Sequence, residues 1–71
     1  MNMNEFKKEV GKRIVECRKN KNLKQKDLCD LIEGSTIQMI SNWEKGHACP
    51  SPFYLCILAK TLDTSVDYLL T

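Results

Sequence analysis

The sequence predicts an all-α fold, a compact bundle of five short helices that contains a helix-turn-helix. Apolar residues recur at helical spacing in separate short segments, no segment alternates as a strand does, and capping residues or glycines stand between the segments. The 71 residues suffice for one domain, 1–71. We expect the helix-turn-helix unit at about 25–46, as two amphipathic helices joined by a turn at Gly34.

Composition and charge limit the possible classes of protein. Apolar residues make up 42% and charged residues 28%, which is typical of globular chains. No stretch approaches the roughly 20 apolar residues that cross a bilayer, and no secretory leader begins the chain, so we expect a cytoplasmic protein without membrane partners. Residues 1–26 contain nine Lys or Arg and three Glu, whereas residues 27–71 contain two basic and six acidic residues. The basic part suits a polyanion, although such lysines also simply solvate helices.

The cysteines do not predict a metal site. The four lie at 17, 29, 49 and 56, without a C-x-x-C pair, and the single histidine, His47, has only Cys49 nearby. Zinc sites require recognisable ligand spacing, so we expect no metal, no cofactor and free thiols in a reducing compartment. His47 has no evident Cys-Asp arrangement around it, and we therefore expect no enzyme.

The first helix is expected over residues 4–20. Asn4 can cap it, and the apolar residues recur at helical spacing: Phe6, Val10, Ile14 and Cys17. Asn20 and Asn22 can end it, because asparagine tolerates the left-handed conformation. Gly11, inside the helix, costs about 1 kcal/mol relative to alanine and is expected to admit a close neighbour.

The helix-turn-helix unit follows. Its first helix begins near Lys24, with an expected buried stripe of Leu28, Leu31 and Ile32. Ser35 or Thr36 can cap the next helix, which buries Ile40 and Trp43 and ends at Gly46. A fourth helix starts at Ser51-Pro52 and carries the stripe Leu55, Leu58, Ala59 and Leu62, and Ser65 caps a short fifth helix.

The outer face of the third helix is the candidate functional surface. Gln38, Ser41 and Asn42 share that face, and amide side chains can both donate to and accept from adenine. The alternative is that polar residues merely solvate an exposed helix. The position after a tight turn, and the lack of Glu/Lys pairs on this face, favour base recognition.

The ordered motifs resemble one known family. Asn22-Leu23-Lys24-Gln25, Ile40-Ser41-Asn42-Trp43-Glu44 with Gly46, the stripe from Leu55 to Leu62, and Ser65 to Leu70 are similar to phage repressors. These are the Cro and lambda-repressor class of helix-turn-helix proteins, called XRE-type regulators. The resemblance extends from about Gly11 to Leu70.

The resemblance implies roles for individual residues. Base contacts would come from Ile37, Gln38, Ser41 and Asn42 in the major groove, with Ile37 offering only apolar contact. Phosphate contacts would come from Lys24, Gln25, Thr36, Lys45 and His47. Arg18 and Glu44 match a family ion pair that ties the first helix to the recognition helix. Two departures stand out: Lys24 replaces a capping Thr or Ser, and the turn near Gly34 is one residue longer.

The implied function is sequence-specific binding of double-stranded DNA by a transcriptional regulator, a repressor of phage or mobile-element type. Family members bind palindromic operators as homodimers. Partly exposed apolar residues are candidates for the dimer surface, unless they pack locally: Phe53, Cys56, Ile57 and Tyr68. The alternative function is a protein-binding adaptor, such as an antitoxin or co-regulator, that uses the same fold.

Overall fold

Five α-helices and no strand form the chain in the computed structural model, which describes all residues from Met1 to Thr71. The helices are α1 (Met3–Asn20), α2 (Gln25–Leu31), α3 (Ile37–Lys45), α4 (Pro52–Thr61) and α5 (Val66–Leu70). This confirms the predicted all-α bundle with a helix-turn-helix. None of the five helices is both long enough and apolar enough to span a membrane.

Side-chain caps explain where most of the helices begin. Thr36, Ser51 and Ser65 each accept a hydrogen bond from the backbone N–H three residues further on. Thr36 rather than Ser35 therefore caps α3. The prediction that Asn4 caps α1 is wrong, because Asn2 accepts from the Glu5 N–H at 2.9 Å and also donates to the Glu5 carboxylate. This reciprocal pair starts the helix before Asn4.

At the start of α2, an acidic side chain of the first turn partly compensates for the missing side-chain cap. Lys24 has no side-chain acceptor for the first N–H groups. The Asp27 carboxylate instead accepts from the Lys24 N–H at 2.8 Å, and the acidic group lies in the first turn of the helix. One half of a capping box therefore remains at this helix end.

One apolar core holds the bundle together. Its buried residues are Val10, Ile14, Cys17, Leu28, Ile32, Ile40, Trp43, Leu55, Leu58, Ala59, Leu62 and Leu69. The prediction that Leu31 is buried is wrong, because its side chain is 58% exposed. α2 ends at Leu31, and the extended backbone of Ile32 turns that next side chain into the core instead.

α1 lies directly against the end of α3, and Gly11 is the point of closest approach. A Cβ atom at Gly11 would lie 2.5 Å from the Trp43 carbonyl oxygen and 2.6 Å from that of Glu44. Any side chain there would push the two helices apart, which confirms the expected close neighbour. This contact fixes the distance between α1 and the C-terminal turn of α3.

Candidate nucleic-acid interface

α3 buries one face and presents the other to solvent. Ile40 and Trp43 are in the core, whereas Gln38 is exposed and Ser41 and Asn42 are half-buried. At 100° per residue, these three polar residues lie on the side of the helix opposite the buried pair. The fold therefore brings the three residues predicted from the sequence onto one surface.

The two amides on this face are joined by a hydrogen bond. Gln38 Nε2 donates to Asn42 Oδ1 at 3.0 Å, between residues one helical turn apart. Ile37, the residue before Gln38, is 49% exposed and supplies an apolar surface beside the amides. The face thus combines one apolar side chain with several hydrogen-bonding groups, which is the chemistry that base-pair edges require.

α1 holds α3 through an ion pair that is shielded from solvent. Arg18 Nε donates to Glu44 Oε2 at 2.7 Å, and Arg18 Nη2 donates to Glu44 Oε1 at 3.0 Å. The side chains are only 12% and 6% exposed, respectively. A third Arg18 donor, Nη1, reaches the Leu23 carbonyl oxygen at 2.9 Å. The guanidinium therefore joins α1, the segment before α2, and α3 at one point.

The predicted phosphate-binding residues lie at or beside the ends of α3. Thr36 caps its first turn, and Lys45 and His47 are exposed at its last turn. The Gln25 amide donates to Glu44 Oε1 at 2.9 Å, which brings the start of α2, with Lys24, to the same end. Nine residues make α3 about 13 Å long, and these groups lie at its two ends.

The turn between α2 and α3 is held by hydrogen bonds within it and from α4. Gly34 adopts the left-handed conformation with φ of 84°. The Ser35 hydroxyl lies 2.7 Å from the Ile32 carbonyl oxygen, to which it donates. The Tyr54 hydroxyl, from α4, donates to the Gly34 carbonyl oxygen at 3.4 Å, and its ring lies 5.2 Å from the Trp43 ring. Tyr54 therefore contacts both the turn and α3.

Tyr54 is a contact residue that the sequence pattern does not reveal. Its partner Gly34 lies 20 positions away, and no local pattern marks such a pair. The one indication in the sequence is that this residue is a tyrosine. The hydroxyl of a tyrosine on an apolar helix usually finds a hydrogen-bond partner.

The candidate dimer residues divide into two groups. Phe53 and Cys56 are exposed on α4, with Phe53 66% exposed, whereas Ile57 is half-buried and packs against the core. Tyr68, from α5, is directed towards α1, where its hydroxyl donates to the Glu16 carboxylate and its ring is 6.0 Å from the Arg13 guanidinium. The hydrogen bond to Glu16 raises the pKa of the Tyr68 hydroxyl.

The four thiols are free and differ in exposure. Cys56 is exposed, Cys29 and Cys49 are half-buried, and Cys17 is buried in the core. Burial raises the pKa of the Cys17 and Cys49 thiols, and the positive charge of Lys7 partly opposes the rise at Cys49. No three His, Cys, Asp or Glu side chains are close enough together to hold a metal ion.

Comparison with known proteins identifies the family. The helix-turn-helix family profile matches residues 14–69, which includes the C-terminal part of α1, all of α2, α3 and α4, and most of α5. Neither a curated protein nor a solved structure matches the chain. The profile covers well over half of the sequence, and its helix-turn-helix coincides with the polar face and the ion pair described above. The chain therefore belongs to the XRE-type helix-turn-helix family of DNA-binding regulators.

Proposed function

We propose that this protein binds a specific double-stranded DNA operator with α3 in the major groove and acts as a transcriptional repressor of phage or mobile-element type. The observation that carries the proposal is the polar face of Gln38, Ser41 and Asn42 on a helix whose opposite face is buried. Such a face reaches base edges when the helix enters the groove.

Base recognition is assigned to four side chains. The amides of Gln38 and Asn42 and the hydroxyl of Ser41 would hydrogen-bond to base edges. Ile37, half exposed, would contact a thymine methyl group. The ion pair between Arg18 and Glu44 makes no base contact. It would hold α3 at a fixed angle, so that these side chains meet the bases in one register.

Phosphate contacts would fix that register. Lys24, Gln25, Lys45 and His47 are at one end of α3, and Thr36 is at the other. The lysines neutralise phosphates and make the affinity depend on salt concentration. The Gln25 side chain donates one Nε2 hydrogen to Glu44. Its other Nε2 hydrogen and its Oε1 oxygen remain available for further hydrogen bonds. A protein bound to an operator that overlaps a promoter would block transcription without any further activity. We propose that this repression takes place in the cytoplasm.

Dimerisation on a palindromic operator completes the proposal. One helix reads only a few base pairs, and a second copy doubles the contacts when half-sites are about one helical turn apart. The outer side of α4, with Phe53 and Cys56 exposed and Ile57 half-buried, is the surface proposed for the contact between the two copies. Tyr68 lies on α5, is 41% exposed, and would contribute only that exposed part.

Selection from a random duplex library tests the function. The full chain should enrich a two-fold site and thus give the half-site and its spacing together. The double variant Gln38→Ala/Asn42→Ala should bind without enrichment while its binding stays salt-dependent, because the phosphate contacts remain. Failure of the unchanged chain to enrich any site would refute sequence-specific binding and favour the adaptor alternative.

A further inference from the structure

Tyr54, a half-buried residue of α4, contacts both α3 and the turn that precedes it. We propose that Tyr54 is a positioning residue for operator recognition, whose hydroxyl fixes the direction in which the first turn of α3 points. The inference rests on the proposed function and assigns part of its specificity to a side chain outside α3. Tyr54 itself makes no DNA contact and acts through the position of α3.

The two ends of α3 are held in different ways. At the C-terminal end, Glu44 accepts hydrogen bonds from Arg18 of α1 and Gln25 of α2. At the N-terminal end, residues 36–38 are all exposed. A helix that is fixed at one end can still tilt about that end. The direction of α3 therefore also depends on how the turn before it is held.

Two aromatic neighbours restrain the ring of Tyr54. Its centroid lies 5.2 Å from that of Trp43, at an interplanar angle of 50°, and 5.2 Å from that of Phe53, at 74°. Tilted and edge-to-face arrangements are favourable for aromatic pairs. A tyrosine side chain has two rotatable χ angles, so packing of its ring largely determines where its hydroxyl lies.

The hydroxyl reaches the turn before α3. It donates to the Gly34 carbonyl oxygen at 3.4 Å, and Gly34 adopts the left-handed conformation with φ of 84°. α3 begins at Ile37, three residues later. Within the turn, the Ser35 hydroxyl donates to the Ile32 carbonyl oxygen at the end of α2. The turn is therefore attached to α2 through Ser35 and to α4 through Tyr54.

The bond from Tyr54 should affect DNA reading more than it affects stability. It is long and exposed to solvent, so water can replace it, and its net contribution to the free energy of unfolding is small. Recognition is more sensitive, because side chains that read a partner must be held within about 0.5 Å of the productive geometry. Loss of the hydroxyl should leave the bundle folded but let the first turn of α3, with Gln38, shift relative to the bases.

Dissociation constants for the operator selected from the library and for a scrambled duplex of equal length test this role. Tyr54→Phe removes the hydroxyl alone and should weaken operator binding by about threefold, without a change for the scrambled duplex. Its unfolding temperature and its tryptophan fluorescence should match those of the unchanged chain, because the ring remains beside Trp43. Tyr54→Leu also removes the ring contact, so it should weaken operator binding by roughly tenfold and lower the unfolding temperature.

Tyr68→Phe is the matched control. It removes a tyrosine hydroxyl that donates to Glu16 of α1 instead of to the turn, and both dissociation constants should stay unchanged. An unchanged operator affinity for Tyr54→Phe, equal weakening on both duplexes, or an equal loss for Tyr68→Phe would each refute the positioning role while operator binding stands. If the unchanged chain binds both duplexes equally, the proposed function and this inference are both refuted.

Discussion

Arg18 and Glu44 form a bidentate ion pair between α1 and α3, with bonds of 2.7 and 3.0 Å. The Glu44 side chain is 6% exposed and also accepts from Gln25, so α1, α2 and α3 meet at one carboxylate. Close to this point, the backbone of α3 touches α1 at Gly11. The orientation of α3 is therefore set by its contacts with α1 and α2.

Removal of one partner of this ion pair should be costly. Arg18→Met leaves a buried carboxylate whose only remaining side-chain partner is Gln25, and the free energy of unfolding should fall by about 3–5 kcal/mol. Urea denaturation followed by tryptophan fluorescence measures it, because Trp43 is in the core.

Two control variants show whether the loss of stability comes from the burial of the Arg18–Glu44 pair or from the loss of any charged pair. Lys12→Met breaks the exposed pair with Glu9, whose side chains are 74% and 40% exposed, and should change stability by less than about 1 kcal/mol. The double variant Arg18→Met/Glu44→Leu should recover much of the lost stability, since no unpaired charge remains. Equal effects of Arg18→Met and Lys12→Met would contradict the role given to the buried ion pair.

Gly11→Ala should destabilise the protein, although alanine is the better helix former. Alanine would gain up to about 1 kcal/mol from helix propensity, but its Cβ would meet two backbone oxygens of α3 at 2.5 and 2.6 Å. Backbone atoms cannot move aside as side chains can, and overpacking of this kind costs about 1–3 kcal/mol. Thermal unfolding measures the balance, with Lys19→Ala on the exposed side of α1 as the control. An increase in stability for Gly11→Ala would contradict the close approach.

Local signals in the sequence were sufficient for the fold. Helical spacing of apolar residues and the caps Thr36, Ser51 and Ser65 gave the number of helices and most of their starts. The errors arose at helix ends: Asn2 caps α1 in place of Asn4, and Leu31 is exposed where α2 stops. At helix ends, tertiary packing and backbone geometry outweigh periodicity.

The sequence predicts which residues form the candidate site, but not the contacts that they make. Spacing alone put Gln38, Ser41 and Asn42 on one face, and the family resemblance suggested Arg18 with Glu44. The bond from Tyr54 to the Gly34 carbonyl and the bond between the two amides cannot be predicted from the sequence. Both depend on side-chain rotamers or long-range packing, and neither leaves a trace in local sequence periodicity.

Thiol reactivity should follow exposure and pKa. Thiolates are the reactive form, and a raised pKa lowers the thiolate fraction at any pH below it. At pH 8, Cys56 should react first with a disulfide reagent, Cys49 more slowly, and Cys17 only when the protein unfolds. Peptide mapping after timed labelling identifies the residues, and four reactive thiols in urea provide the control. Labelling of Cys17 as fast as that of Cys56 would contradict the buried position of Cys17.

Lys45 should contribute to affinity without contributing to specificity. It is exposed in the last turn of α3, where the phosphate backbone would pass. Lys45→Ala should reduce the slope of log K against log salt by about one and weaken binding to all duplexes alike. Fluorescence anisotropy at several salt concentrations measures the slope. Lys12→Ala, 74% exposed on α1, is the matched control, and an unchanged slope for Lys45→Ala would exclude the phosphate contact.

Phe53→Glu should weaken the contact between two copies of the protein that are bound to one two-fold DNA site. The side chain is 66% exposed, so the fold should persist, but a charge on the proposed dimer face opposes association. The variant should bind a single half-site as the unchanged chain does, and bind a two-fold duplex more weakly. Light scattering with and without a palindromic duplex gives the stoichiometry. A monomeric unchanged chain in both states would contradict the dimer.

The most direct test compares dissociation constants for two duplexes of equal length at one salt concentration. One duplex carries the selected operator and the other carries the same bases in scrambled order. We predict binding to the operator at least about a thousandfold tighter than to the scrambled duplex, and loss of this ratio in the Gln38→Ala/Asn42→Ala variant. Equal dissociation constants for the unchanged chain would contradict sequence reading by α3.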